Sequence, residues 1–502
     1  MTRNPVFWRA KGRRPFSDVD FVVVFIVSEN WWLRVAASPV ELPETFMIAH
    51  RYAASRMFER PRGTNDWGPE DMAKRRFVES RFIQLAESFG FREVSTPTFE
   101  SLDLFTAKSG PAIVRELYAF KDQGGRDLAL RPEFTASILR FYVSDLRSRP
   151  KPIKVYTTGN VFRYEEPQKG RYREFFQLNA EIIGGATLPS DAEVLALAIG
   201  TMRAIGLKQV KARIGNIGIL RGFLPFAPAD QAVVLHSLDK RNFPMLDAEL
   251  DRLGRPDLSK ALRQLVELSG DVSILDQAAK ILGSEAGAGF ECLRKIADLL
   301  DAYGVSQQDY AFDMGVVRGL DYYTGMVFEI DSPNLGAEKQ VGGGGAYNLA
   351  EVFGGERIAQ TGFALGLDRL VMSAEAERAT ETPRPLDAYV VPIGEGVQKK
   401  AIEVLMSLRA AGLGADIDLV GRGPSKNLDY ANAIGARYAV LLGEKELKAS
   451  KATVRDMASG VQREVPLTDL VDAILSRPAR GPEPAKPKRR AAGTRAERSR
   501  RR

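Results

Sequence analysis

Cysteine is almost missing from this chain: Cys292 is the only one in 502 residues. A single thiol excludes an intramolecular disulfide and points to a reducing, cytoplasmic compartment. Histidine is nearly as scarce, with His50 and His236 alone, both away from the polar motifs discussed below. Histidine-based zinc sites and Ser-His-Asp machinery are therefore disfavoured. No GxxxxGK[ST] segment occurs, which removes a P-loop from consideration. The apolar run FVVVFIV at 21–27 is too short to span a membrane. Chemistry in this chain falls to carboxylates, arginines, tyrosines and bound phosphate.

At 502 residues and 44% hydrophobic, the chain can bury large cores in two or three domains. Its formal charge of +7 is concentrated at one end. Nine Lys or Arg stand against Glu483 and Glu497 in 481–502, so the rest is formally neutral. That tail, taken from 479, has prolines and no apolar anchors and is expected to be disordered. It either adds nonspecific phosphate contact to RNA or is solubilising surface. Residues 1–57 read as a poorly ordered extension, or as an incorrectly chosen start with Met47 or Met57 as the true one. A basic segment before the apolar run resembles an export signal, but Asp18 and Asp20 interrupt it.

The densest local signal lies at 159–185, GNVFRYEEPQKGRYREFFQLNAEIIGG. Runs at 154–165 and 175–183 read as strands around a wide loop. The loop gathers Arg163, Arg171 and Arg173, guanidinium forks suited to a polyanion. Gln177, Asn179 and Glu181 alternate, which puts two amides and a carboxylate on one face. That row suits a polar pocket wall better than a core.

The spacing predicts a helix over 71–89 and a strand over 91–99 broken at Pro97. A hairpin at 118–130 and a helical turn from 131 follow. Hairpins over 118–183 argue for an antiparallel sheet. Residues 190–305 read as a mainly helical insertion, and strand signals resume at 316 and 326–330. The glycine run 342–345 reads as a tight turn or as close backbone approach at a pocket wall. Residues 363–374 read as a helix and 375–386 as a linker. Alternating strands and helices over 387–478 predict a small α/β domain with a parallel sheet. Lys426, Lys445, Lys448 and Lys451 there mark either a nucleic-acid face or a solvated one.

Five separated segments carry more than their separate patterns: RPRGTNDW (60–67), LRPEFT (130–135), the 154–183 hairpin, VVRGLDYYTGMVFE (316–329) and TGFALGLDRL (361–370). In this order they closely resemble the histidyl-tRNA synthetase family, a class II aminoacyl-tRNA synthetase family. The hairpin is similar to class II motif 2, GLDRL to motif 3, and RGLDYYTG to the signature of the histidine enzyme. The resemblance covers roughly 58–478. It implies an α+β fold in which a class II antiparallel sheet, flanked by helices, fills 58–374. A helical insertion (190–305) and a C-terminal α/β anticodon-binding domain (387–478) complete it.

The resemblance also implies roles. Glu133, Thr135 and Gln177 would hold the α-ammonium of L-histidine; Glu181, Tyr322 and Tyr323 would line and read its imidazole. Arg163 would grip the ATP α-phosphate, Glu165 the adenine side, and Arg171 and Arg369 the distal phosphates. Arg318 would lie at the α-phosphate, where charge grows. ATP would arrive with Mg2+, tRNA(His) would be the acceptor, and the chain would be a homodimer with no membrane association. Three positions depart from the family pattern: GGGRYD reads GGGAYN, with Ala346 and Asn348, and Phe176 stands where histidine is common. The first two suggest a missing ion pair. The alternative is a noncatalytic synthetase-like regulatory subunit of ATP phosphoribosyltransferase, which usually lacks the anticodon-binding domain. An RNA-binding protein with a dead synthetase fold is a third reading.

Overall fold

The structure, a computed structural model, describes residues 58–109, 111–283, 287–317, 322–336, 339–380 and 386–476. The N-terminal extension, the basic tail, Arg318 and residues 381–385 of the linker lie outside the described residues.

Helix α1 (Pro69–Ser88) begins where Pro69 fits the first turn and Glu70 and Asp71 meet the positive end of the helix dipole. Val78, Phe82 and Ala86, spaced four apart, are fully buried. Burying a side chain such as Phe82 contributes about 2–3 kcal/mol. The strand expected at 91–99 is two strands, β1 (Arg92–Glu93) and β2 (Phe99–Ser101), in different sheets. Pro97 between them has no N–H to continue a ladder. After α2 (Leu102–Ser109), β3 (Ala119–Lys121) and β4 (Asp127–Leu130) form the expected hairpin. With β2 it makes a separate three-stranded sheet instead of joining the main one. Helix α3 (Thr135–Phe141) follows.

Strands β5 (Ile153–Phe162) and β6 (Glu174–Ile183) pair over ten residues without a bulge, placing Gly159 opposite Gln177 and Val155 opposite Glu181. Helix α4 (Thr187–Ile205) is buried along most of its length. Strand β7 (Lys211–Asn216) comes next, then helices α5 (Ile217–Phe223), α6 (Pro228–Asp239), α7 (Phe243–Arg252) and α8 (Leu258–Val266). A short β8 (Ser269–Gly270) precedes α9 (Ile274–Leu282) and α10 (Gly287–Ala302). The insertion is therefore not purely helical. Both β7 and β8 belong to the main sheet, and α4 packs against α1 and α10 as part of the core.

Strands β9 (Tyr310–Asp313), β10 (Tyr323–Asp331), β11 (Gln340–Tyr347) and β12 (Gln360–Gly366) complete a nine-stranded sheet in the order β1-β5-β6-β12-β11-β10-β7-β9-β8. The run β5 to β7 is antiparallel throughout. Two expectations change here. The glycine run is extended strand in β11, not a turn; its glycines answer to close approach. A Cβ on Gly342 or Gly344 would overlap the backbone carbonyl of Ala364 or Gly362 on the neighbouring strand. Residues 363–366 are strand, and helix α11 (Leu367–Ala376) starts only after Gly366.

Residues 386–476 form a second sheet with its own cores. Its elements are β13 (Ala388–Ile393), α12 (Gln398–Ala410), β14 (Ala415–Ile417), α13 (Pro424–Ala433) and β15 (Tyr438–Gly443). Helix α14 (Glu444–Lys448), β16 (Lys451–Asp456), β17 (Gln462–Pro466) and α15 (Leu470–Leu475) follow. The order is β14-β13-β15-β16-β17. It is mixed, not parallel: β16 and β17 add as an antiparallel hairpin, so no crossover is needed. Val390 faces one core and Tyr389 with Val391 the other, the pattern of a sheet covered on both faces. Lys451 is paired with Glu464 at 3.0 Å, whereas Lys426, Lys445 and Lys448 are exposed. Among the described residues no helix is long and apolar enough to cross a membrane.

Candidate active site

The polar row of β6 is buried, with Gln177, Asn179 and Glu181 at 6%, 1% and 1% exposure. Glu181 stands opposite Gly362 of β12. A Cβ at 362 would overlap the Glu181 carboxylate, so this glycine makes the room the carboxylate occupies. Gly362→Ala should therefore displace Glu181 and lower kcat/KM for the amino-acid substrate by about 100-fold, the effect of a misplaced binding group. A steady-state titration checks it, and wild-type values in the variant would refute the geometry.

Three hydrogen bonds converge on Glu181. The Thr135 hydroxyl donates to Oε1 at 2.8 Å, Asn179 Nδ2 donates to the same oxygen at 3.3 Å, and the Tyr347 hydroxyl donates to Oε2. Burial pushes this carboxyl up to about 7 against the opposing pull of these donors. Glu133 behaves differently. It accepts the Thr135 amide at 2.6 Å and the Ala136 amide at 3.1 Å, capping the first turn of α3. Lys108 Nζ lies 3.1 Å from its Oε1. Burial opposes ionisation of Glu133, but Lys108 and the two amides hold its carboxyl below the usual range. Thr135 thus touches both carboxylates, one held charged and one poised near neutrality, a separation of the kind acid–base sites use.

Tyr322, Tyr323 and Tyr347 close the pocket as an aromatic cluster, with ring centroids 4.6–6.3 Å apart. Lys108 sits 4.6 Å from the Tyr322 ring centre. Gln177 Oε1, on the same strand face as Glu181, is buried and lacks a hydrogen-bond partner among the described residues, an acceptor that a donor would complete. Sequence reasoning passed over Lys108 and Tyr347. The signal for Tyr347 is its register opposite Tyr323 in the β10–β11 pair; Lys108 carries none that its neighbours in sequence reveal.

The second half of the site is cationic. Arg163 Nε donates to the Pro132 carbonyl at 3.0 Å, and its guanidinium lies 5.2 Å from the Phe175 ring centre. Burial pulls its pKa down, while Glu165 and Glu133 oppose that shift. Arg171 is ion-paired with Glu165, and Arg173 stacks 4.2 Å from the Tyr164 ring. Arg369 Nε donates to Gly170 O at 2.9 Å, and its Nη1 donates to Gln340 O. These contacts bring Arg163, Glu165, Arg171 and Arg369 onto one loop–helix junction. Phe176, the departure in β6, donates its amide to Asp368 at 3.3 Å. Asp368 also pairs with Arg75 of α1, and the Arg75 guanidinium lies 4.4 Å from the Trp67 ring and 5.7 Å from Phe176.

A carboxylate and aromatic pocket beside an arginine-lined loop can hold a cationic amino acid next to a polyphosphate. Comparison with known proteins agrees. Residues 63–370 match the family model described as histidyl-tRNA synthetase, and 387–477 match the one described as anticodon binding domain. The histidine–tRNA ligase of Methanosarcina acetivorans is 44% identical over 418 residues, covering 83% of this chain and 98% of that protein. That of Thermococcus kodakarensis is 42% identical over 438 residues, covering 83% and 98%. The crystal structure of apo histidyl-tRNA synthetase from S. aureus is similar at a TM-score of 0.62 and 30% identity, covering 83% of this chain and 100% of that one. The family match spans more than half of the chain and these relatives are covered almost end to end, so the chain belongs to the histidyl-tRNA synthetase family of class II aminoacyl-tRNA synthetases.

Proposed function

We infer that the chain is a histidine–tRNA ligase. In the first step a carboxylate oxygen of L-histidine attacks the α-phosphorus of ATP; the bond to the β-phosphate oxygen breaks, giving histidyl-adenylate and diphosphate. In the second, the terminal adenosine hydroxyl of tRNA(His) attacks the activated carbonyl; AMP leaves and the hydroxyl proton passes to an adenylate phosphate oxygen. No protein histidine is needed in either step.

The observation that carries this reading is the pair of carboxylates joined through Thr135. We assign the α-ammonium of histidine to Glu133, Thr135 and the open acceptor of Gln177. We assign the imidazole to Glu181, with Tyr322 and Tyr323 as pocket wall and Tyr347 holding Glu181 in place. Arg163 takes the ATP α-phosphate, Glu165 the adenine side, and Arg171 and Arg369 the distal phosphates; Arg318 completes the α-phosphate contact by resemblance alone. Mg2+ belongs to the substrate as Mg·ATP, bridging the distal phosphates. The 387–477 unit supports tRNA reading and favours the ligase over a regulatory subunit. A homodimer working in the cytoplasm is the assembly this function implies. Histidine-dependent exchange of diphosphate into ATP, followed by charging of tRNA(His), tests the reading; folded protein without exchange would overturn it.

Lys108 adds a prediction. It places a cation on the carboxylate assigned to the substrate ammonium, so the two share one partner. Lys108→Met should leave the half-buried Glu133 without a counter-charge and destabilise the free protein by about 1–2 kcal/mol. Histidine then supplies the missing charge, so its stabilising effect should grow in the variant. Thermal melting with and without histidine measures this, and an unchanged histidine-induced rise would remove Lys108 from the ammonium site.

A further inference from the structure

A cavity of about 100 Å³ lies between the start of α4, the end of β11 and the start of β12, with Thr324 of β10 on one wall. Asp191 of α4 lines it at 1% exposure, and neither of its carboxylate oxygens has a hydrogen-bond partner. The Thr361 hydroxyl and Gln360 Nε2 on the same lining are also unpartnered. A buried carboxylate normally has partners, because it has given up its hydration. Among the described residues no lysine or arginine lines the cavity. Ala346, on its wall, stands at a position where the family pattern has a base.

We propose that this cavity binds a guanidinium group, with Asp191 accepting two parallel N–H donors and the Thr361 hydroxyl accepting a third. A guanidinium fork matches the two oxygens of a carboxylate. A planar ion fits in the space beside a water able to satisfy Gln360. A bare alkali ion would look only for oxygen, and the Gln360 amide nitrogen on the wall disfavours it. Burial pushes Asp191 up to about 7. A cation favours the ionised form, so the site should bind more tightly as pH rises through neutrality. The titratable groups facing Asp191 do not blur that change. Cys292 of α10 is pushed up by burial and then by the charge of Asp191. Tyr347 of β11 is pushed well up by burial and then by Glu181.

Tyr347 also connects the cavity to the pocket, since it borders the first while its hydroxyl holds Glu181 in the second. Filling the cavity should steady the end of β11 that carries Tyr347 and so lower KM for histidine. This effect rests on the role proposed for Glu181, whereas binding to the cavity does not, so the two readings fail separately.

Melting of the full chain in millimolar guanidinium chloride, against NaCl and KCl at equal ionic strength, tests the site. The expected result is a saturable rise in Tm with guanidinium alone, stronger at higher pH and absent in Asp191→Asn. Ala346→Arg should supply the group from the chain itself, raising Tm and abolishing the response to added guanidinium. No rise, an equal rise with KCl, or an undiminished rise in Asp191→Asn would overturn the proposal. A saturable Tm rise without a change in KM would keep the cavity site and refute its link to Glu181.

Discussion

Replacing Arg163 by alanine should slow histidine-dependent diphosphate exchange by about 100- to 1,000-fold, the range for removing one preorganised electrostatic contact to a developing charge. The expectation rests on how the guanidinium is held. Its Nε is fixed on the Pro132 carbonyl, its face lies against Phe175, and its backbone amide donates to Arg173 O at 2.9 Å. A donor fixed before substrate arrives needs little reorganisation at the transition state, and partial burial strengthens its attraction for phosphate. Lysine should rescue poorly: one ammonium does not reproduce a fork that donates to a carbonyl with one nitrogen while offering the others to an anion. The loss should fall mainly on kcat, since the α-phosphate gains charge during attack. A fall of less than tenfold in Arg163→Ala, with ATP saturating, would place the α-phosphate elsewhere.

Glu181→Gln carries the second large effect. The carboxylate accepts from Thr135, Asn179 and Tyr347; an amide offers one oxygen in place of two. Under the role proposed for Glu181, the imidazole N–H then loses a charge-assisted partner in a dry site, worth about 3 kcal/mol, so kcat/KM for histidine should fall by about 100-fold. Its pH dependence gives an independent check. The folded pKa of Glu181 is raised to about 7, above an unfolded value near 4.3. Stability from this group is thus fully present below about 4.3 and lost as pH rises through about 7. Ionisation works the other way for binding, since the charged form accepts from imidazole. Wild-type kcat/KM should rise through about pH 7, and Glu181→Gln should lose that limb while showing a flatter decline of stability over the same interval. The titration of free histidine is common to both proteins, so it cancels in the comparison. A retained limb in the variant would assign it to another group.

How much of this was open to sequence reading depended on whether the partner was close along the chain. The β5–β6 hairpin was legible because strict alternation sorts Gln177, Asn179 and Glu181 from Leu178, Ala180 and Ile182. Glu133 and Thr135 were reached through family resemblance, and their joint action was not: the bond from Thr135 to Glu181 spans 46 positions. Lys108 and Tyr347 were missed for the same reason, since the first meets Glu133 across a helix and the second meets Glu181 across two strands. The glycine run was misread as a possible turn because its reason lies in β12, whose carbonyls leave no space for a Cβ. TGFALG was merged into the following helix because it lacks the β-branched run that marks a strand, and only pairing with both β6 and β11 makes it one. In the C-terminal unit, alternating strands and helices predicted the α/β domain and a parallel sheet, and concealed the antiparallel hairpin of β16 and β17.

Thr135 has one further consequence. Its amide is anchored to one carboxylate and its hydroxyl to the other, so the two recognition points sit at a separation set by a single residue. Under the roles proposed above, the pocket works as a ruler between amino group and ring. An amino acid whose ring is carried one methylene nearer or farther can satisfy one end only, and length is rejected together with chemistry.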